Sequence, residues 1–272
     1  MFEEHKKLHF TTKNPKLLTQ GVPTTQDTVS KWYLTYKIIL SAYFLIGYGI
    51  FDFYLQGHVK DNLGLTMIYL THWCHKLMSI SFMYNSILVV IRYTQENRKQ
   101  VTSNCFFERN CLITKLTWIM SSSANNLAIA VTIVYWGALY DSNEKRTLLE
   151  EFDNYNVHLI QTVITLIDVV ISARPWRLCH AIYPFLYALT YLGFNVIYTV
   201  VLGGKNSKGE DFIYSILDWG NTPTTAIMWV VVFTILIIVS QTFLCILSFT
   251  KEKIFEHLKK KFRDEFEIEN VA

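Results

Sequence analysis

The chain has 272 residues, of which 51% are apolar and 17% charged, a balance well away from that of soluble domains. Its 25 Lys and Arg nearly offset its 22 Asp and Glu, leaving a formal charge of +3. So small a net charge says little about partners, and no nucleic-acid partner is expected. The apolar residues stand in long blocks, which makes the lipid bilayer the expected partner.

Residues 1–31 form a polar leader, rich in Thr and Lys and containing Pro15 and Pro23, expected to be disordered and cytoplasmic. It lacks the apolar core of a cleavable signal peptide, so the first apolar block is the expected targeting signal. Six blocks follow, approximately Trp32–Leu55, Leu63–Ile91, Leu112–Tyr140, Asn156–Ala173, Leu178–Leu202 and Thr225–Phe249. Their lengths suit a hydrocarbon layer of about 30 Å at about 1.5 Å per residue. Hydrocarbon offers no water to satisfy backbone amides, so these blocks should be helices. A β-barrel needs short alternating segments, and none of the blocks alternates. The expected architecture is an all-α integral membrane protein, a six-transmembrane helix bundle over residues 32–249.

Basic residues crowd into the leader, the connection Arg92–Cys111, the turn Arg174–Arg177 and the tail after Lys251. The opposite connections hold only Lys60, Lys145, Arg146, Lys205 and Lys208. By the positive-inside rule both termini are expected in the cytoplasm. The turn Arg174-Pro175-Trp176-Arg177 should make the fourth and fifth helices antiparallel neighbours, because proline cannot continue a helix. It also reads as a basic anchor on the inner side. Trp32, Tyr54, Tyr140, Trp176 and Trp219 lie near block edges, as an aromatic belt requires. In residues 250–272, Ile254, Leu258, Phe262 and Phe266 recur about every fourth position, which predicts an amphipathic cytoplasmic tail helix.

None of Cys74, Cys105, Cys111, Cys179 and Cys245 falls in an outer connection, so free thiols are expected rather than a disulfide. His72, His75 and His158 offer three imidazoles, but His72-x-x-His75 has no third ligand at helical spacing. No metal or other cofactor is expected.

Polar residues inside apolar spans are costly and mark interior contacts or functional sites. The second span carries Thr71 and His75 on one helix face, continued by Met78, Phe82 and Asn85. In the fourth span His158, Gln161, Thr165, Asp168 and Ser172 recur at three to four residues as one stripe, and the third span adds Asn125 and Asn126. Thr71 and His158 both lie toward the outer side, a hydroxyl with an imidazole able to act as its base, which suits nucleophilic acyl transfer. His75, Asn85, Asn125, Asn126, Gln161 and Asp168 are the expected supporting residues of a polar cavity, the asparagines among them as oxyanion donors. The same residues would equally serve as hydrogen-bonding contacts between helices. Lys76 is expected to snorkel or to pair with Asp52 or Asp168.

The stretches Asn156-Val157-His158, Asp168–Ser172, Arg174–Arg177, His180–Pro184, Gly203-Gly204 and Tyr214–Trp219 together resemble the rolling stone family of polytopic membrane proteins. The resemblance covers roughly residues 30–250 and implies a plasma-membrane protein associated with myoblast fusion. More distantly the layout is similar to the androgen-induced family of membrane hydrolases. That likeness implies cleavage of fatty-acid esters by an intramembrane threonine and histidine, matched here by Thr71 and His158. His72, His75 and Lys76 stand where that family has apolar or neutral neighbours. Three readings follow: a threonine hydrolase of lipid esters, a non-enzymatic protein of cell fusion or adhesion, and a small-molecule or lipid transporter.

Overall fold

A computed structural model describes residues 19–21, 28–47, 66–97 and 111–269. Six long helices carry most of them: α1 (Lys31–Ile46), α2 (Leu70–Asn97), α3 (Cys111–Val134), α4 (Leu148–Ile171), α5 (Leu178–Val201) and α6 (Pro223–Glu269). Among the described residues there is no β-ladder, only an isolated bridge between Gly21 and Ser172. α2, α4, α5 and α6 are long and apolar enough to cross a membrane. Among the described residues α1 comprises 16, and α3 carries the polar run Ser121–Asn126; within those residues neither meets the same measure.

That polar run explains where α3 sits. The helix packs against α2, α4, α5 and α6, and every residue from Ser121 to Val131 is buried. Small side chains let neighbouring helices approach closely, and amides replace the hydrogen bonds that lipid cannot offer. Asn126 donates to the Ile237 carbonyl (2.9 Å) and to Gln241 (3.0 Å) on α6. Asn125 accepts from Thr165 on α4 (3.2 Å), and Ser121 accepts from Asn85 on α2 (3.2 Å). Around these spokes lie two apolar clusters. Phe44, Met78, Phe82, Ala124, Ala128 and Ile164 join α1 to α4, and Cys74, Leu127, Val131 and Ile237 join α2, α3 and α6. The opposite faces turn Ile80, Ile87, Leu186, Ile235 and Ile238 outward, as helices solvated by lipid do.

Several boundaries differ from the sequence expectation. α2 begins at Leu70, after a turn at residues 67–69, and the first residues of the expected block, 63–65, lie outside the described residues. The turn is held because Tyr191 bonds the Ile68 carbonyl (2.8 Å), Trp73 bonds the Met67 carbonyl (2.7 Å) and the Leu70 amide donates to Tyr214 (2.9 Å). Thr71 therefore stands in the first turn of its helix. α4 begins at Leu148, so half of the expected loop before Asn156 is helix; Thr147 and Glu150 form a capping box that starts it. The turn Arg174–Arg177 is no exposed anchor, for all four residues are buried and Trp176 packs with Ile129, Val169 and Leu244. Trp176 therefore does not belong to an aromatic belt, whereas Trp32 is half exposed.

Parts of the leader are docked. Thr19 and Gln20 are buried, the Ala173 amide donates to the Gln20 carbonyl (2.8 Å), and Arg92 donates to Thr19 (2.9 Å). At the other terminus α6 runs unbroken to Glu269, about 70 Å at about 1.5 Å per residue, so the tail continues the last apolar helix. Tyr54, Asp52 and Cys105 lie outside the described residues.

Candidate active site

The loop between α5 and α6 covers the bundle end that bears His158. Gly203 adopts φ 62° to leave α5, a conformation suited to glycine, and Gly204 lies against the Tyr198 ring where a Cβ would collide. Asp218 starts α6 by accepting the Gly220 (3.1 Å) and Asn221 (2.9 Å) amides, and the latter bonds hold its carboxyl below the ordinary range. Between these anchors Ser207 meets Tyr69 (3.0 Å), and Lys208 reaches Glu144 of the neighbouring loop (3.1 Å).

Beneath this cover lies a polar cavity of about 370 Å³. Thr71 and His158 are both on its wall, with Tyr69, His72, Ser207 and Tyr214. An apolar slot of about 110 Å³ adjoins it between α2, α3, α5 and α6, and the two share Thr71, Tyr135, Leu139 and Tyr214. Thr71 thus stands at the junction of a polar and an apolar chamber.

His158 and Tyr135 both stand on π turns, Asn156–Ile160 and Tyr135–Leu139, where an extra residue per turn redirects side chains. The two rings are stacked, with centroids 3.4 Å apart and planes 4° apart. The Thr132 hydroxyl holds the His158 carbonyl at 2.5 Å. The His158 Nδ1 atom is shielded and has no hydrogen-bond partner among the described residues. No hydrogen bond joins Thr71 to His158. The Thr71 side chain instead interacts with the phenol of Tyr214, which also takes the Leu70 amide. Burial pushes the Tyr214 phenol well above its ordinary value, so it remains a proton donor.

The other six residues expected around the cavity lie elsewhere. His75 is buried against Phe44, with ring centroids 5.9 Å apart. Asn85 bridges Ser81, Ser121 and Arg174, while Asn125 and Asn126 are the α3 spokes already described. Gln161 donates to the Val157 carbonyl of its own helix (2.5 Å). Asp168 sits toward the opposite bundle end and accepts from Lys37 and from Tyr36 (3.2 Å). Lys37 is therefore the partner of Asp168, and Lys76 lies beside Met67. Lys37 and Asp168 are 1% and 2% exposed, a buried ion pair that tethers α1 to α4.

Tyr69 stood in the polar cluster of the second span, whereas Tyr135 and the loop between α5 and α6 carried no signal in the sequence that tied them to this site. Tyr214 lay within Tyr214–Trp219, a stretch that drew notice for another reason. Among the described residues no cluster of three or more His, Cys, Asp or Glu converges as metal ligands would.

Four apolar membrane-length helices, packed on a polar central helix with a covered cavity at one end, define an integral membrane protein of all-helical class. The sequence profile of protein rolling stone matches residues 7–267, and the chain belongs to the rolling stone family. It is 25% identical over 213 residues to protein rolling stone of Drosophila melanogaster, an alignment spanning 78% of this chain and 75% of that protein. No solved structure matches the chain.

Proposed function

We propose that the chain crosses the plasma membrane six times with both termini cytoplasmic, and that Thr71 and His158 cleave a lipid ester in the outer half of the bundle. One observation carries this reading: the two side chains share the wall of a covered polar cavity, and Thr71 also borders an apolar slot. A polar cavity that adjoins an apolar slot suits an ester that joins a polar head to an acyl chain.

The Thr71 hydroxyl oxygen attacks the ester carbonyl carbon while its proton passes to His158. Negative charge on the carbonyl oxygen is met by the Tyr214 phenol and the positive end of α2, whose first turn holds Thr71. Collapse breaks the bond to the alcohol, which leaves with the proton from His158 and an acyl-threonine behind it. Water then attacks that acyl carbon and gives its proton to His158. The fatty acid departs, and the proton returns to the threonine oxygen.

A fluorophosphonate probe on the purified protein tests the proposal. Labelling that Thr71→Ala and His158→Ala both abolish, with melting temperatures unchanged, is the expected result. An intact protein that takes no label and releases no fatty acid from any ester defeats it.

A second reading, a non-enzymatic protein of cell fusion or adhesion, has its own support. Thr71 and His158 share no hydrogen bond, and Asn85, Asn125, Asn126 and Asp168 are spent on contacts between helices. On that reading both substitutions leave a fusion assay unchanged.

A further inference from the structure

From the two adjoining chambers we infer that the site takes a single-chain ester with an uncharged, hydroxyl-bearing head, of the monoacylglycerol class, whose chain enters sideways from the bilayer between α5 and α6. The inference rests on the reading of Thr71 and His158 only for the position of the ester bond. Binding is separately measurable.

The chain lies in the slot. Its lining is apolar side chains from α5 and α6, including Ala188, Leu192, Trp229 and Phe233, with Thr71 and Tyr214 at the inner end. α5 and α6 meet each other only thinly although each packs on α3, so the slot is the seam between them. Leu189 on the rim is 50% exposed, which turns the mouth toward the lipid-facing side of the bundle. An amphiphile dissolved in the bilayer reaches this mouth without leaving hydrocarbon.

The head lies in the polar cavity. A space of about 370 Å³ takes a head of glycerol size, and the adjoining slot, at about 110 Å³, is the narrower of the two. The two formally charged side chains among its lining residues, Lys208 and Glu210, are of opposite sign and already engaged. Lys208 pairs with Glu144 (3.1 Å), and Glu210 accepts from Asn206 (2.6 Å). A phosphate or carboxylate head would compete with Glu144 for Lys208, the one lysine or arginine among the lining residues. Hydroxyls and imidazoles dominate the rest of the wall (Tyr69, Thr71, His72, His158, Ser207), donors and acceptors fitted to a neutral polyol. The narrow slot holds one chain, which excludes diacyl lipids.

The test uses the full chain in nanodiscs of phosphatidylcholine and a monoacylglycerol bearing a photoreactive group at the end of its acyl chain. Cross-links are expected on peptides spanning 185–192 and 229–237. Unlabelled 1-oleoylglycerol should reduce them at least tenfold, whereas oleic acid, lysophosphatidic acid and diacylglycerol should reduce them less than twofold. Ala188→Trp, which fills the slot, should lower labelling at least tenfold; the competition on the unaltered protein decides the matter even where that variant unfolds. Equal competition by every lipid, or cross-links spread over the whole lipid-facing surface, would overturn the inference. Saturable labelling without any glycerol release by the intact protein would sink the hydrolase and leave this binding site standing.

Discussion

Replacing Asp168 by leucine should be among the most destabilising single changes in the bundle. Its carboxylate faces the Lys37 ammonium in a site where the two residues are 2% and 1% exposed, and it also accepts from Tyr36 at 3.2 Å. Removing one partner of a buried ion pair strands the other charge, which costs about 3–5 kcal/mol. The Lys37 ammonium then keeps only the faces of Tyr33, Tyr36 and Phe82, between 5.2 and 5.6 Å from their ring centres. Each such contact contributes on the order of 0.5–2 kcal/mol, less than the loss. Lys37→Met should cost less than Asp168→Leu, because Arg174 remains close enough to interact with the carboxylate left behind. The double variant removes both charges and should recover most of the stability, since well-packed apolar pairs commonly match buried ion pairs. The assay is reversible unfolding in mixed micelles, followed by circular dichroism for both single variants and the double, read as a cycle. A cost under about 1 kcal/mol for Asp168→Leu, or single costs that simply add in the double variant, would refute the reasoning.

Three further outcomes are expected. Gly21→Ala would bring a Cβ to 2.6 Å from the buried Tyr33 ring, so overpacking should cost about 1–3 kcal/mol and raise hydrogen exchange at the Ala173 amide; unchanged exchange there would mean that the 19–21 segment does not dock. Thr147→Ala removes the capping box of α4 and should cost about 1 kcal/mol, with faster exchange confined to residues 148–155 and none gained beyond Gln161. The bonded Lys208 ammonium, with Arg146, holds the Glu144 carboxyl below its ordinary value of 4.5, so the stability of this contact is complete above that value and is lost as pH falls through the lowered one. Exchange at residues 205–211, corrected for its intrinsic pH dependence, should therefore rise on acidification below 4.5; Glu144→Gln should abolish that rise, and a wild-type loop indifferent to pH contradicts the pairing.

The helices were legible because lipid admits few alternatives. Long apolar blocks with internally satisfied backbones must be helical, and α5 falls almost where Leu178–Leu202 was expected. Their ends were less legible, because side chains from distant elements set them. α2 starts at Leu70 because Tyr191 and Tyr214, more than a hundred residues away, take its preceding carbonyl and first amide. The capping box at Thr147 and Glu150 was visible in the sequence as a local signal, but an apolar-block reading passes over it.

The candidate site divides the same way. Side-chain types alone drew attention to Thr71 and His158, since a hydroxyl and an imidazole within apolar spans are costly unless they face an interior. Which polar residues face the cavity and which tie helices together depends on helix rotation, and composition carries no record of it. Asn85, Asn125 and Asn126 have the same polar character as cavity residues, yet rotation turns each toward a neighbouring helix. Asp168 was conspicuous from the sequence, but its partner was not, because Lys37 looked like one more residue in the first apolar block.

By itself, then, the sequence determined the class of this protein: hydrophobic blocks of membrane length, a skewed distribution of basic residues, and a set of polar residues too costly to be idle in lipid. Tertiary structure decided what those polar residues do. Hydrophobic length is summed along the chain, whereas the placing of Thr71 and His158 on one cavity wall, and the pairing of Lys37 with Asp168, depend on how distant helices rotate and pack against α3.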